Sequence, residues 1–193
     1  MFGGAFDPPH LGHVALARAA VQQLGLDQLR VFPTGQAWHK ARELSPPEHR
    51  LAMARLAFAD VPHTMVDGRE LQRAGPTYTI DTLRELQREF PQAQLLLVIG
   101  ADQAESLHSW RDSAEIARIA TISIAARARP TTDAPPFDAS SLPPGRRESV
   151  ELPPMPVSST EVRRLAGAGQ DITALVPAPV ARYIAQHHLY PTN

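Results

Sequence analysis

A single α/β domain built on an open twisted parallel sheet flanked by helices is the fold class this sequence predicts. Three observations point there. Short β-type runs alternate along the chain with helical segments, the order that crossover connections require. One run, residues 95–99 (LLLVI), is apolar throughout rather than alternating, as a strand buried on both faces is. The chain has 193 residues, enough for one core of ordinary size, and no linker or internal repeat divides it.

The elements follow in order. Residues 14–24 carry apolar positions at helical spacing, with Gly25 as a stop signal. Residues 29–32 form a short β-type run that Pro33, Thr34 and Gly35 end. Pro46-Pro47 opens a second helix through His49 to Phe58, and residues 64–66 are a short strand candidate. Residues 79–90 make an amphipathic helix with Ile80, Leu83, Leu86 and Phe90 on one stripe. A strand at 95–99, a helix at 113–119 and a second buried strand at 121–125 come next. Prolines then cluster between Pro130 and Pro156, a long Pro-rich loop that residues 150–152 interrupt as a short last strand. Helices at 158–165 and 180–188 form a C-terminal helical part spanning about residues 158–190. Only Met1 and Phe2 precede Gly3-Gly4, where about five or six residues are usual for a strand. A missing N-terminal stretch is therefore expected.

Composition excludes several classes. Lys plus Arg (19) nearly balances Asp plus Glu (20), which offers no electrostatic footprint for nucleic acid or a membrane surface. There is no Cys, hence no disulfide framework, thiolate zinc site or cysteine nucleophile. The apolar run at 95–99 is far too short to span a bilayer, and no charged and apolar leader opens the chain, so a cytoplasmic protein is expected. The 19 prolines are about twice the usual share, and their clustering reads as one loop rather than general disorder.

Two segments carry the chemistry. In open parallel sheets ligands sit beyond the carboxyl ends of the strands. The segment FGGAFDPPHLGH places Gly3 and Gly4 there, between strand and helix, where backbone can approach a phosphate closely. His10 and His13, three apart at a helix start, face one point, and a helix N-terminus already favours anions. The pair alone is more often surface decoration, and a zinc hydrolase would want a third ligand and His-Glu-x-x-His, which is absent. The second segment, VSSTEVRRL, reads first as a capping box, Ser158-x-x-Glu161. A capped N-terminus is also an anion site, where Ser159, Thr160 and local N–H groups could hold phosphates and Arg163, one turn on, offers a forked donor. The sequence GAG at 167–169 follows a helix rather than a strand, so it reads as a helix end and not a dinucleotide fingerprint.

FGGAFDPPHLGH resembles the signature of the His-x-Gly-His nucleotidyltransferase superfamily, and VSSTEVRRL resembles its Ser-Ser-Thr-x-Ile/Val-Arg box. Five further stretches, VFPTGQAWHK, HRLAMARLAFAD, DGRELQRAGPTYTIDTL, LLLVIGADQAESLHSW and LVPAPVARYIAQHHLY, resemble the bacterial nicotinate-nucleotide adenylyltransferase family over nearly the whole chain. The resemblance implies a Rossmann-like nucleotidyltransferase fold in a single domain, residues 1–193. It implies adenylyl transfer from ATP to nicotinate mononucleotide, giving deamido-NAD and pyrophosphate.

The resemblance also assigns residues. His10, His13 and Arg163 are implied catalytic groups. Gly3, Gly4, Phe6, Gly100, Asp102, Ser158, Ser159 and Thr160 join them in ATP binding, with Asp102 near the ribose. Trp110 is the implied ring-stacking residue, although a packing role fits it nearly as well. The N–H groups at Tyr78 and Thr79 would receive the nicotinate carboxylate, while Thr79 also reads as a helix cap. Lys40, with His39, would reach phosphates or simply be a solvated loop lysine. Mg²⁺ is implied as a cofactor held mainly by ATP phosphates, with no protein metal ligands assigned. Ala5 departs from the family, which carries Thr or Ser there. The rival readings are nicotinamide mononucleotide or another phosphate as acceptor, and a non-catalytic nucleotide sensor. A nucleic-acid module is disfavoured by the neutral charge, no membrane partner is implied, and a homo-oligomer is left open.

Overall fold

The computed structural model describes residues 1–35, 44–127 and 143–191, with the side chains of residues 126 and 127 excepted. Among them six strands form one all-parallel sheet: β1 (Phe2–Gly4), β2 (Leu29–Pro33), β3 (Thr64–Val66), β4 (Leu95–Gly100), β5 (Ala120–Arg127) and β6 (Arg147–Leu152). Their spatial order is β3-β2-β1-β4-β5-β6. The chain therefore runs outward from β1 to one edge, returns, and builds the other half. The point of reversal lies between β1 and β4, where such sheets open a crevice at the strand ends.

The helices are α1 (Leu11–Gln23), α2 (Pro47–Phe58), α3 (Thr79–Glu89), α4 (Ala101–Ser106), α5 (Ser113–Ile119), α6 (Ser159–Gly167) and α7 (Ala178–Gln186). Short 3-10 turns stand at Arg69–Gln72 and Leu107–Ser109. The apolar residues of β4 explain the layering. Val98 packs in one core cluster with Leu16, Ala20 and Met53. Leu97 and Ile99 point the other way, into a second cluster with Ile80, Leu83 and Ile116. Successive strand residues face opposite sides, so both faces must be covered, and an unbroken apolar run results.

The helices and strands stand close to the sequence expectations, with physically instructive differences. Gly3 and Gly4 lie inside β1 rather than after it, in register with Phe32 and Pro33 of β2. β1 spans three residues and pairs with β2 on one side and β4 on the other. Helix α1 starts at Leu11, not residue 14, because His10 takes the extended cap position. Phe90 leaves the α3 stripe: it is 38% exposed, and the Arg30 guanidinium lies 4.6 Å above its ring. Strand β6 begins at Arg147, three residues before the expected start, and cuts through the stretch read as a Pro-rich loop. Helix α6 ends at the GAG sequence, where Gly169 takes a left-handed φ of 67°. Gln170 N–H donates to Leu165 O and Gly169 N–H to Ala166 O, which completes a helix stop.

Arg50 on α2 is the largest fully buried side chain, 2% exposed. Its guanidinium donates to the carbonyls of Ser45 (2.9 Å), Ala5 (3.0 Å) and Thr34 (2.7 Å). It thereby clamps the exit of β1 to the exit of β2. Replacing Arg50→Met should strand these carbonyls and cost about 3 kcal/mol in urea denaturation; a loss under about 1 kcal/mol would refute the clamp.

Candidate active site

The loop from Ala5 to His10 connects β1 to α1 at the carboxyl edge of the sheet. Phe6 turns its ring inward, 1% exposed, edge-on to Phe2, Phe58 and His13. Its side chain is thus core, and only its backbone is available to a nucleotide. His10 caps α1 and His13 sits one turn inside, their rings stacked with centroids 3.7 Å apart. The His10 backbone N–H donates to His13 Nδ1 at 3.1 Å. That bond fixes the tautomer: the His13 proton is on Nε2, so the ring presents a donor on its far edge. Burial lowers the His10 imidazolium to about 4, which leaves that ring neutral at pH 7. Its buried Nδ1 has no hydrogen-bond partner among the described residues. The glycine between the histidines has a steric cause. A Cβ at Gly12 would lie 3.1 Å from the His10 ring and 3.2 Å from Val157.

That Val157 contact announces the second segment. Ser158 caps α6, its Oγ accepting from Glu161 N–H at 3.2 Å. The reciprocal half of the expected capping box is not made, because the Glu161 carboxylate instead accepts from Arg164 (2.9 and 2.7 Å). Ser159 Oγ donates to Pro8 O at 2.9 Å. Arg163 donates from Nη1 to Asp7 O (2.7 Å) and from Nη2 to Thr160 Oγ1 (3.2 Å). The guanidinium and the two imidazoles, 150 residues apart in sequence, therefore meet on one short loop. Two helix N-termini, α1 and α6, converge on it, which concentrates positive potential.

On the other side of the β1 exit lies a cavity of about 280 Å³. Gly3, Gly4 and Ala5 form its floor with Thr34, Leu97 and Ile99, and Tyr78, Thr79 and Trp110 stand in its walls. A Cβ at Gly3 would meet nothing within 4 Å, so ligand room rather than protein packing is what a side chain there would consume. Tyr78 caps α3 and Thr79 is its first residue, so the opening N–H groups of that helix stand at the cavity. Trp110 donates from Nε1 to Ser106 Oγ at 3.3 Å and is half-buried. His10, His13, Ser158, Ser159, Thr160 and Arg163 do not line this cavity, and neither do Gly100 and Asp102. Gly100 ends β4 and caps α4, and Asp102 lies exposed in the first turn of α4. Lys40 and His39 fall outside the described residues.

Several side chains at the site escape sequence reasoning. Asp7, 1% exposed, accepts from Ser45 N–H (3.1 Å) and from the Tyr190 hydroxyl (2.8 Å). Burial and the Asp7 charge push the Tyr190 phenol far above its ordinary value, so it remains a donor. Arg111 joins the cavity wall, its guanidinium 4.6 Å above the Tyr78 ring. Glu70, 3% exposed, also contributes to the wall. Its Oε1 accepts from Thr82 Oγ1 at 2.6 Å, one turn beyond the start of α3. Burial pushes its carboxyl up to about 7, against the Thr82 hydroxyl and the Arg73 charge, while Glu85 and Asp67 add to the rise. The only sequence signal for Asp7, Glu70 and Tyr190 is position inside the quoted family stretches, and Arg111 lies just past the end of one of them.

The comparisons define the class first. Residues 1–165 match the family model described as cytidylyltransferase-like, and the chain belongs to that family. A relative from Albidiferax ferrireducens is 52% identical over 192 residues, covering 100% of this chain and 97% of the relative. A second, from Methylibium petroleiphilum, is 43% identical over 194 residues, covering 98% and 91%. Both carry the name "Probable nicotinate-nucleotide adenylyltransferase". Within the class, the chain is a nicotinate-nucleotide adenylyltransferase family member. In fold it resembles the nicotinic acid mononucleotide adenylyltransferase of Plasmodium falciparum complexed with NaAD. The TM-score is 0.77 at 17% identity, covering 98% of this chain and 95% of that one.

Glu70 makes stability depend on pH. Its folded value lies above the unfolded one, so between about pH 4.5 and 7 the folded chain holds a proton that the unfolded chain has released. Stability therefore falls as pH rises through this window, by up to about 3 kcal/mol. Glu70→Gln keeps an acceptor for Thr82 and removes the charge. The variant should match the wild type at pH 5 and exceed it by about 2 kcal/mol at pH 8 in urea denaturation. Parallel curves at all pH values would refute the assignment.

Proposed function

We propose that this chain transfers the adenylyl group of ATP to nicotinate mononucleotide, giving deamido-NAD and pyrophosphate in NAD biosynthesis. One observation carries the reading beyond family membership. One stretch, residues 3–13, gives Gly3, Gly4 and Ala5 to a cavity suited to a flat ring and also bears the stacked imidazoles and the Asp7 carbonyl that accepts from Arg163. Acceptor and triphosphate would thus be registered by the same short stretch of chain.

The acceptor's 5′-phosphate oxygen attacks the α-phosphorus of ATP. The new O–Pα bond forms as the bond from Pα to the bridging oxygen breaks, and pyrophosphate leaves with that electron pair. The attacking phosphate is ionised at neutral pH, so a general base has nothing to remove. Catalysis is then positioning and stabilisation of charge. His13, with its proton on Nε2, donates to the α-phosphate region. His10, Thr160 and Arg163, with the α6 N-terminus that Ser158 caps, hold the departing pyrophosphate, and Ser159 keeps α6 against the loop. Gly100 and Asp102 take the adenosine, the carboxylate accepting from the ribose. Trp110 stacks on the pyridinium ring, and the N–H groups at Tyr78 and Thr79 receive its carboxylate.

Among the described residues no group of three or more His, Asp or Glu side chains is arranged to hold a metal ion. In this proposal Mg²⁺ belongs to the nucleotide substrate, carried on the ATP phosphates. No helix among the described residues is long and apolar enough to cross a membrane. The proposed setting is the cytoplasm, where ATP and the mononucleotide are available.

Coupled pyrophosphate release, run with nicotinate and nicotinamide mononucleotides side by side, tests the proposal. Preferred turnover of the acid supports it; turnover of neither, with ATP still bound, would leave a nucleotide sensor. His13→Ala should lower kcat by about 100-fold or more while circular dichroism stays unchanged, the loss typical of one preorganised donor. Near-normal kcat in that variant would remove His13 from the mechanism.

A further inference from the structure

We propose that Arg111 is a specificity-determining residue. Its guanidinium, seated over Tyr78 at the cavity wall, pairs with the carboxylate on the acceptor's pyridine ring and selects the acid over the amide. This rests on the acceptor reading above and names the side chain that would enforce it.

Three observations carry the inference. First, Arg111 shares the cavity wall with Trp110, Tyr78 and Thr79, the residues assigned to the pyridine ring. Second, its position is defined: the guanidinium carbon stands 4.6 Å from the Tyr78 ring centroid. Tyr78 caps α3, so the cation is held beside the helix end whose N–H groups open onto the cavity. Third, the cation is uncommitted. Among the described residues Arg111 has no carboxylate partner, although Asp112 is its neighbour in sequence. Asp112 is taken by Arg84 at 3.2 Å, and Glu115 by the same guanidinium. Arg69 is likewise paired with Asp67 and Glu89, and Arg73 with Glu85, while Arg88 of α3 donates to the Arg84 carbonyl. An arginine on the wall of a ligand cavity with no carboxylate partner among the described residues is placed to receive one from the ligand.

Glu70 sharpens the argument. Its buried carboxyl hydrogen-bonds Thr82 one turn into α3 and shares the cavity wall. When ionised, it opposes a second carboxylate at that helix end. A carboxylate-bearing acceptor then needs a counter-charge that the helix N-terminus alone does not supply, and an amide does not.

The test is steady-state kinetics of wild type, Arg111→Met and Arg111→Lys with each mononucleotide at saturating ATP. Arg111→Met should raise KM for nicotinate mononucleotide about 10- to 100-fold, the loss expected for a charged hydrogen-bonded pair. KM for nicotinamide mononucleotide should move less than about threefold, and Arg111→Lys should recover part of the loss. Titration calorimetry of nicotinate mononucleotide on the same proteins reads the same ratio without turnover. Equal changes for acid and amide would overturn the proposal while leaving the adenylyltransferase reading intact. A wild type that turns over neither mononucleotide would overturn both.

Discussion

The Arg163 guanidinium on the carbonyl of Asp7, at 2.7 Å, is the interaction on which this molecule's site depends. It joins a helix near the end of the chain to the loop near its beginning. Asp7 makes that loop worth joining, because its buried carboxylate already accepts from Ser45 N–H and the Tyr190 hydroxyl. Arg50 pulls on Ala5 from beneath, and Ser159 holds Pro8 from above. Five residues from three separated parts of the chain thus hold this loop at Ala5, Asp7 and Pro8. Each bond contributes about 1 kcal/mol, more where a charge is shared, and a buried carboxylate is stable only with such partners. A loop held this way pays its ordering entropy during folding rather than on ligand binding.

The consequence is a division of labour around β1. On one side stand two helix N-termini, a neutral imidazole, a second imidazole whose Nδ1 accepts from the His10 N–H, and a guanidinium, the groups proposed to hold a polyanion. On the other side Gly3 and Gly4 floor a cavity walled by aromatic rings and by Arg111, which has no carboxylate partner among the described residues. Because β1 is only three residues long and hydrogen-bonded on both flanks, the two sides cannot drift apart. An in-line transfer requires that rigidity, since its rate rests on the relative placement of two phosphates.

What the sequence discloses follows from which interactions are local. The apolar run of β4 and the stripe Ile80, Leu83, Leu86 of α3 are legible because burial alone sets their periodicity. Strand β6 is half hidden: at the sheet edge its first three residues, Arg147, Glu148 and Ser149, are exposed and polar. Helix α4 and the two 3-10 turns are too short to establish a period. The histidine pair and the α6 box can be read because their residue types and spacing are unusual together. Glu70 and Arg50 cannot, since each looks like a surface charge on its own element. Tertiary partners twelve to forty-five positions away bury them. Arg111 is invisible for a related reason, as its lack of a carboxylate partner among the described residues depends on Arg84 having taken Asp112. Phe6 sits within the phosphate signature, yet its ring serves the core.

The central claim is that His10, His13 and Arg163 address one polyanion. Nitrogen-15 NMR of the imidazole and guanidinium groups, during titration with a non-hydrolysable ATP analogue, tests it directly. The account predicts that resonances of all three side chains shift together along one saturation curve. Imidazole shifts that saturate while the Arg163 resonance stays in place would contradict it.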